Sequence, residues 1–324
     1  MKKLLSICVL IPVFLSLSCS GITSKKDEFL EKVQEFQEPK FEDKKLDELT
    51  VLIEKTAGAA KGRVGAYAVV LETGESVELD ANGQYPMQSV YKFPIAMAVL
   101  RQVEEGKLKL DSRMRVEKEE YVRKGMRSPL RDKNPNGADV TVQELIRLSI
   151  VESDGSASDV LMRLAGGAAA IQDYLTGITI GEVIVANPEK EIGQDWETQY
   201  RNWATPEGAV ALLRALHEKR GISDQNQKLL LKFMTESVPG AKRLKGMLPT
   251  GTIVAHKTGT SGTNADGVTA ATNDIGIITL PNGEHLAIAV FVSDSPEDEA
   301  TREAVIAGIA KAAWDTWSKP AKAN

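Results

Sequence analysis

Strand-like apolar runs sit towards both ends of the chain, and apolar residues at helical spacing fill its middle. Residues 64–71 (VGAYAVVL) predict a strand, Thr73-Gly74 a turn and 76–79 a returning strand, so this segment reads as a hairpin. After Leu248-Pro249-Thr250-Gly251 the pattern again favours strands, at 252–257, 273–280 and 284–292, with the last two joined at Pro281-Asn282-Gly283. Between these blocks lies a helix that follows Ser89 and runs through Leu100 and Val103 towards Gly106. It is apolar nearly all round, which predicts a central, buried helix. Thr141-x-x-Glu144 reads as a capping box opening a helix through Val151, which stops at Ser153-Asp154-Gly155. Further helices are predicted at 158–164, 168–175, from Thr205-Pro206 to Arg220, at 224–236 and, as an amphipathic C-terminal element, at 297–317. Another covers 44–55. The stretch 187–202 is long, polar and poorly periodic, and a loop of that length inside a compact domain is usually functional. Strands from both ends and helices from the middle predict an α+β fold: an antiparallel sheet built from the termini, with helices inserted.

Composition narrows the function. The 324 residues, 42% hydrophobic, suffice for a large core, and a net charge of −5 argues against a nucleic-acid partner. Met1-Lys2-Lys3, an apolar run over 4–17 and Ser18-Cys19-Ser20 have the layout of an export signal, too short for a span of about 20 residues. Cys19 as a lipid-anchored first residue and cleavage after Ser20 are both open, because Ser16 stands where a lipobox usually has Leu. Residues 24–45 are charged and read as a tether. With cysteine only at Cys8 and Cys19, the remaining domain has no disulfide. His217, His256 and His285 are far apart and lack a zinc-ligand spacing, so neither a metal nor a cofactor is predicted.

The candidate chemistry begins at Ser89. Lys92 follows at helical spacing, so the hydroxyl and the amine can share a face. Desolvation among Phe93, Ile95, Ala96, Val99 and Leu100 would favour a neutral amine able to take a proton. A hydroxyl with an adjacent base is an activated nucleophile. Ser-x-x-Lys also arises by chance about once in a chain of this length. Ser153-Asp154-Gly155 equally suits an ordinary inter-helix turn, and Lys257-Thr258-Gly259-Thr260 an edge strand with a solvated lysine. Glu189 and Glu191 in the long loop read by default as surface charge.

The order of these weak signals is specific. Ser-x-x-Lys, then Ser-Asp-x, then a Glu-bearing loop, then Lys-Thr-Gly on a late strand resembles the class A serine β-lactamases, most closely their PER-type extended-spectrum subgroup. Gln88-Ser89-Val90-Tyr91-Lys92-Phe93-Pro94, Gln199-Tyr200-Arg201-Asn202-Trp203, Arg243-Leu244-Lys245-Gly246 and 255–262 (AHKTGTSG) carry the likeness, which extends from about Asp47 to Trp317. It implies a five-stranded antiparallel sheet flanked by N- and C-terminal helices, with residues 44–86 and 238–324 forming an α/β domain. Residues 87–237 would form an inserted all-α domain with the active site at the junction. Residues 1–20 would be the signal peptide and 21–43 the tether of an exported, periplasmic monomer acting on a small-molecule β-lactam.

By the same resemblance Ser89 would form the acyl-enzyme, with Lys92 or Glu189 (through a water) as the base. Ser153 would pass a proton to the leaving nitrogen, and the N–H groups of Ser89 and Thr260 would bind the oxyanion. Lys257 and Thr258, together with Arg243, would hold the substrate carboxylate. Glu189 is preferred to Glu191 because Ile192 then keeps the aliphatic offset of the family loop. Three positions depart from the pattern. Gly155 replaces an Asn whose amide would grip the substrate, Gly193 replaces an Asn at the deacylation water, and Arg127 occupies the cleft-mouth position of a common aromatic. A penicillin-binding D,D-peptidase and a slowly deacylating sensor are the alternatives.

Overall fold

A computed structural model describes residues 40–318, with side chains from Lys45. The predicted signal at 1–20, Cys19 included, and residues 21–39 of the tether lie outside the described residues. From Lys45 onward, contacts gather the chain into one compact unit. Helix α1 (Lys40–Ala57) begins four residues before its predicted start at 44. β1 (Arg63–Val70) and β2 (Ser76–Leu79) form the predicted hairpin, turning at Gly74, whose φ of 80° suits glycine. β3 (Tyr85–Pro86) leads through a 3₁₀ turn (Gln88–Tyr91) into α2 (Lys92–Glu104). Then come β4 (Arg113–Val116), α3 (Pro129–Lys133), β5 (Ala138–Thr141), α4 (Val142–Val151), α5 (Gly155–Leu164) and α6 (Gly167–Gly177). β6 (Val183–Ile184) and β7 (Trp203–Ala204) flank the long loop, which holds α7 (Glu189–Ile192), and α8 (Pro206–His217) and α9 (Asp224–Thr235) follow. β8 (Val254–Thr260), β9 (Thr272–Thr279), β10 (His285–Ser293) and α10 (Glu299–Trp317) complete the order.

The main sheet is five-stranded and antiparallel, in the order β2-β1-β10-β9-β8. Its central strands read as unbroken apolar runs because both faces are covered. Along β10, Leu286, Ile288, Val290 and Val292 enter one core with α1 and α10, while Ala287, Ala289 and Phe291 enter the other, with α2 and the inserted helices. Side chains alternate across a strand, so one strand serves two cores. In α2 every residue from Lys92 to Leu100 is buried, as its all-round apolar pattern predicts.

Three expectations needed correction. The stretch 87–237 is not all-helical: β4 pairs with β5, and β6 and β7 join β3 in a small second sheet. The helix predicted to start at 158 starts at Gly155, because Asp154 is its N-cap and accepts from Ala157 N at 2.9 Å. Thr141 caps α4 by accepting from Glu144 N, but the reciprocal arm of the capping box is absent because the Glu144 carboxylate pairs with Arg147 instead.

Candidate active site

β8 is the cleft-side edge of the main sheet, and it lies against the turn that carries Ser89. That approach needs glycine. A Cβ on Gly259 would come within 2.2 Å of Met87 O, so any side chain there would push the strand away. The turn is held from the long loop as well: Met87 N donates to Asn202 O, and Gln88 Nε2 donates to Gln199 Oε1 at 2.8 Å. Gln88 itself adopts a left-handed φ of 47°, a strained conformation directly before the nucleophile candidate. Ser89 is half-buried and lines a cleft of about 570 Å³ with Ser153, Glu189, Thr258 and Thr260.

The predicted Ser89–Lys92 pairing takes a different form. Ser89 lies in the 3₁₀ turn and Lys92 opens α2, and no hydrogen bond links the two side chains among the described residues. The buried ammonium instead donates to Ser153 O at 2.9 Å and lies 3.1 Å from Glu189 Oε2. The same carboxylate oxygen accepts from Tyr91 Oη at 2.7 Å. Burial, then the Glu189 charge, holds the Tyr91 phenol well above its ordinary range, so it remains a donor. Glu191 points elsewhere, accepting from Asn187 Nδ2.

Asp159 fixes the backbone that presents Glu189, accepting from Glu189 N at 2.6 Å and Lys190 N at 3.0 Å. Sequence reasoning missed it. Its one signal is an i, i+4 relation to Gly155 on the face of α5 that meets the loop. Burial pushes the Asp159 carboxyl up to about 6 from the ordinary 3.8, against the two N–H donors that favour its charged form. Stability supplied by the neutral form is therefore complete below about pH 4 and is lost as pH rises through about 6. Such a shift corresponds to about 2–3 kcal/mol. Denaturant melts should show Asp159→Asn gaining that much on the wild type between pH 4 and pH 7. A stability difference that does not change with pH would overturn this assignment.

Ser153 faces Lys92 and Lys257 from the turn before α5, again with a left-handed φ, 59°. Asp154, fully buried, anchors that turn by accepting from Ala157 N, Leu130 N and Ser128 Oγ. Lys257 Nζ donates to Ser153 Oγ at 2.9 Å and to Thr258 O at 3.0 Å. Complete burial, then the nearby Lys92 charge, holds the Lys257 ammonium well below the usual lysine range. Arg243 does not open onto the cleft. Its guanidinium is buried behind β8 and β9, donating to Gly259 O, Asn273 O and Thr260 Oγ1 (2.8 Å) and pairing with Glu303 at 3.1 Å. It touches the exposed Thr260 side chain from behind.

The three departures look different in space. A Cβ on Gly155 would lie 2.8 Å from Glu189 Cγ, so glycine here makes room for the glutamate. Gly193's flank is filled by Arg123, which donates to Gly193 O and whose guanidinium would lie 2.5 Å from a Cβ there. Arg127 lines the cleft as predicted, but an aromatic does too: Trp196, from the long loop, set edge-on to Tyr200 with ring centroids 6.4 Å apart. The histidines also need correction. His217 and His285 are neighbours in the fold, rings 4.7 Å apart, although 68 residues separate them in sequence.

A family model described as the beta-lactamase enzyme family matches residues 47–317. Extended-spectrum beta-lactamase PER-1 of Pseudomonas aeruginosa is 41% identical over 262 residues, covering 81% of this chain and 85% of its own. Beta-lactamase VEB-1 of the same organism is 37% identical over 271 residues, 83% and 90% of the two chains. The crystal structure of a beta-lactamase from Chitinophaga pinensis superposes with a TM-score of 0.81 at 42% identity, covering 83% of this chain and 98% of the other.

Proposed function

Because the chain belongs to the beta-lactamase enzyme family, we propose that it hydrolyses β-lactam antibiotics by the class A route, through an acyl-enzyme on Ser89. Ser89 Oγ attacks the lactam carbonyl; the C–O bond forms as the carbonyl π pair moves onto oxygen, and the C–N bond breaks as that tetrahedral intermediate collapses. The serine proton leaves towards the Lys92–Glu189 pair and is relayed by Lys92 to the Ser153 hydroxyl as Ser153 gives its own proton to the departing nitrogen. Glu189 is therefore again a carboxylate when the acyl-enzyme has formed. Lys257 donates to the Ser153 hydroxyl and holds it in place. Ser89 N and Thr260 N bind the carbonyl oxygen as it becomes negative. Lys257, Thr258 and Thr260 hold the substrate carboxylate. Arg243 acts through Thr260: by donating to Oγ1 it leaves the hydroxyl hydrogen free for the substrate. The space at Gly155 admits the Glu189 side chain. In the second half, water attacks the ester, its proton passes to Glu189 and then returns to Ser89 Oγ.

The observation that carries the hydrolase reading over a D,D-peptidase or a sensor is the Glu189 carboxylate, 3.1 Å from Lys92 Nζ and lining the same cleft as Ser89. A peptidase lacks this loop carboxylate, and a sensor has no use for a second base. The N-terminal segment supports export to the periplasm; the exported enzyme is proposed to be a monomer with the site at the junction of the sheet and the inserted helices. The mature enzyme is expected to turn over a chromogenic cephalosporin steadily, at a rate within the usual enzymatic range of about 1–10³ s⁻¹. One equivalent of product followed by a stall, with a stable adduct on Ser89, would overturn the hydrolase reading.

A further inference from the structure

Away from the cleft, three side chains from distant parts of the chain converge on one small volume. Glu72 lies on the turn between β1 and β2, His285 opens β10 and His217 ends α8. One ligand atom from each lies within 4.8 Å of the others. His285 Nδ1 is 2.7 Å from Glu72 Oε1, and His217 Nε2 is 3.8 Å from the same oxygen. Glu72 Oε2 accepts from His285 N at 2.8 Å, which orients the carboxylate from behind.

We propose that Glu72, His217 and His285 form a binding site for a zinc ion. Two imidazoles and a carboxylate suit that ion, and metal–ligand bonds of about 2.0–2.2 Å at tetrahedral angles place donor atoms roughly 3.4 Å apart. The two distances to Glu72 Oε1, 2.7 and 3.8 Å, bracket that spacing, and the two imidazole donors lie within 4.8 Å of each other. Side-chain rotations that exchange the His285–Glu72 contact for metal bonds would therefore bring all three donors onto one ion. The three side chains are 29–36% exposed, which leaves outer positions of the ion to water. Arg214, the nearby cation, is 3.7 Å from Glu218, so its charge is balanced locally.

The ion would tie α8 to the sheet. α8 packs on β1 and β10, and Glu72 and His285 belong to the same end of those strands. β9 and β8 separate this end from the cleft edge, so the ion would act on stability and leave hydrolysis unchanged.

The test is titration of tag-free, metal-stripped protein with ZnCl₂. Calorimetry should find one ion per chain, and the melting temperature should rise by roughly 5 °C at a hundredfold excess over Kd. His217→Gln, His285→Gln and Glu72→Gln, each checked for unchanged hydrolysis, should each weaken binding tenfold or more and remove most of the thermal shift. Co²⁺ should give the intense visible bands of a four-coordinate ion in the wild type and lose them in His217→Gln. No saturable binding, a melting temperature indifferent to ZnCl₂, or three variants that bind as tightly as the wild type would each overturn the site.

Discussion

Glu189→Gln is expected to turn steady hydrolysis of a chromogenic cephalosporin into one burst of product followed by a stall. The steady rate should fall about 10²–10⁴-fold, the usual worth of a positioned general base. Glutamine keeps the shape of the side chain and can still accept from Tyr91 Oη, so the loop that Asp159 and Asn202 hold should stay in place. What it loses is the ability to take a proton from water. Lys92 also loses its charged partner, at 3.1 Å, yet keeps Ser153 O. The acyl-enzyme should therefore form and persist, visible as added mass on Ser89. A variant that fails to acylate at all would make Glu189 the base of the first step too. Undiminished turnover would move deacylation to another group.

Ser89→Ala should lower kcat further, on the order of 10⁶-fold, with neither burst nor adduct. The contrast with Glu189→Gln separates the two half-reactions. The substitution is informative because it disturbs little else. Ser89 Oγ makes no hydrogen bond among the described residues, and the turn is held by Met87 N, Gln88 and the fit of Gly259. Its stability should stay within about 0.5 kcal/mol of the wild type. The Ser89→Ala protein should still bind the antibiotic through Lys257, Thr258 and Thr260, so titration should give a measurable Kd without product. Residual turnover within tenfold of the wild type would mean that Ser89 is not the nucleophile.

Sequence patterning exposed the large elements for a clear reason. β10 and β1 are long, apolar on both faces and bounded by turn residues, and Thr205 followed by Pro206 marks a helix start in side-chain chemistry alone. Two-residue strands such as β6 and β7 carry no readable alternation, so nothing in the pattern marked sheet inside 87–237, and the all-α reading that the resemblance implied went unopposed. The ordered motifs located the cleft, but the forces that shape it are tertiary. Asp154 resembles any turn aspartate until Leu130 N and Ser128 arrive from another segment. Gly155 and Gly193 looked like lost amides until Glu189 and Arg123 were seen to fill their space. Arg243 looked like a substrate ligand, and only its partners Gly259 O, Asn273 O and Thr260 Oγ1 place it behind the strand. Spacing rules for metal ligands likewise assume ligands close in sequence, and Glu72, His217 and His285 are not.

The pairing of β1 with β10 also sets the timetable of folding. Arg63 through Val70 bond to Ser293 through Leu286, partners more than two hundred residues downstream. Such a closure must be made before it is rewarded, so the sheet should assemble slowly, whereas the helices at 92–235 rest largely on nearer contacts. At roughly 5–20 residues per second, a ribosome needs about 10–45 s to deliver the missing strand. Throughout that interval the Val- and Ala-rich edge of the hairpin is unpaired, an aggregation-prone surface that a holding chaperone would need to cover until the last strand arrives.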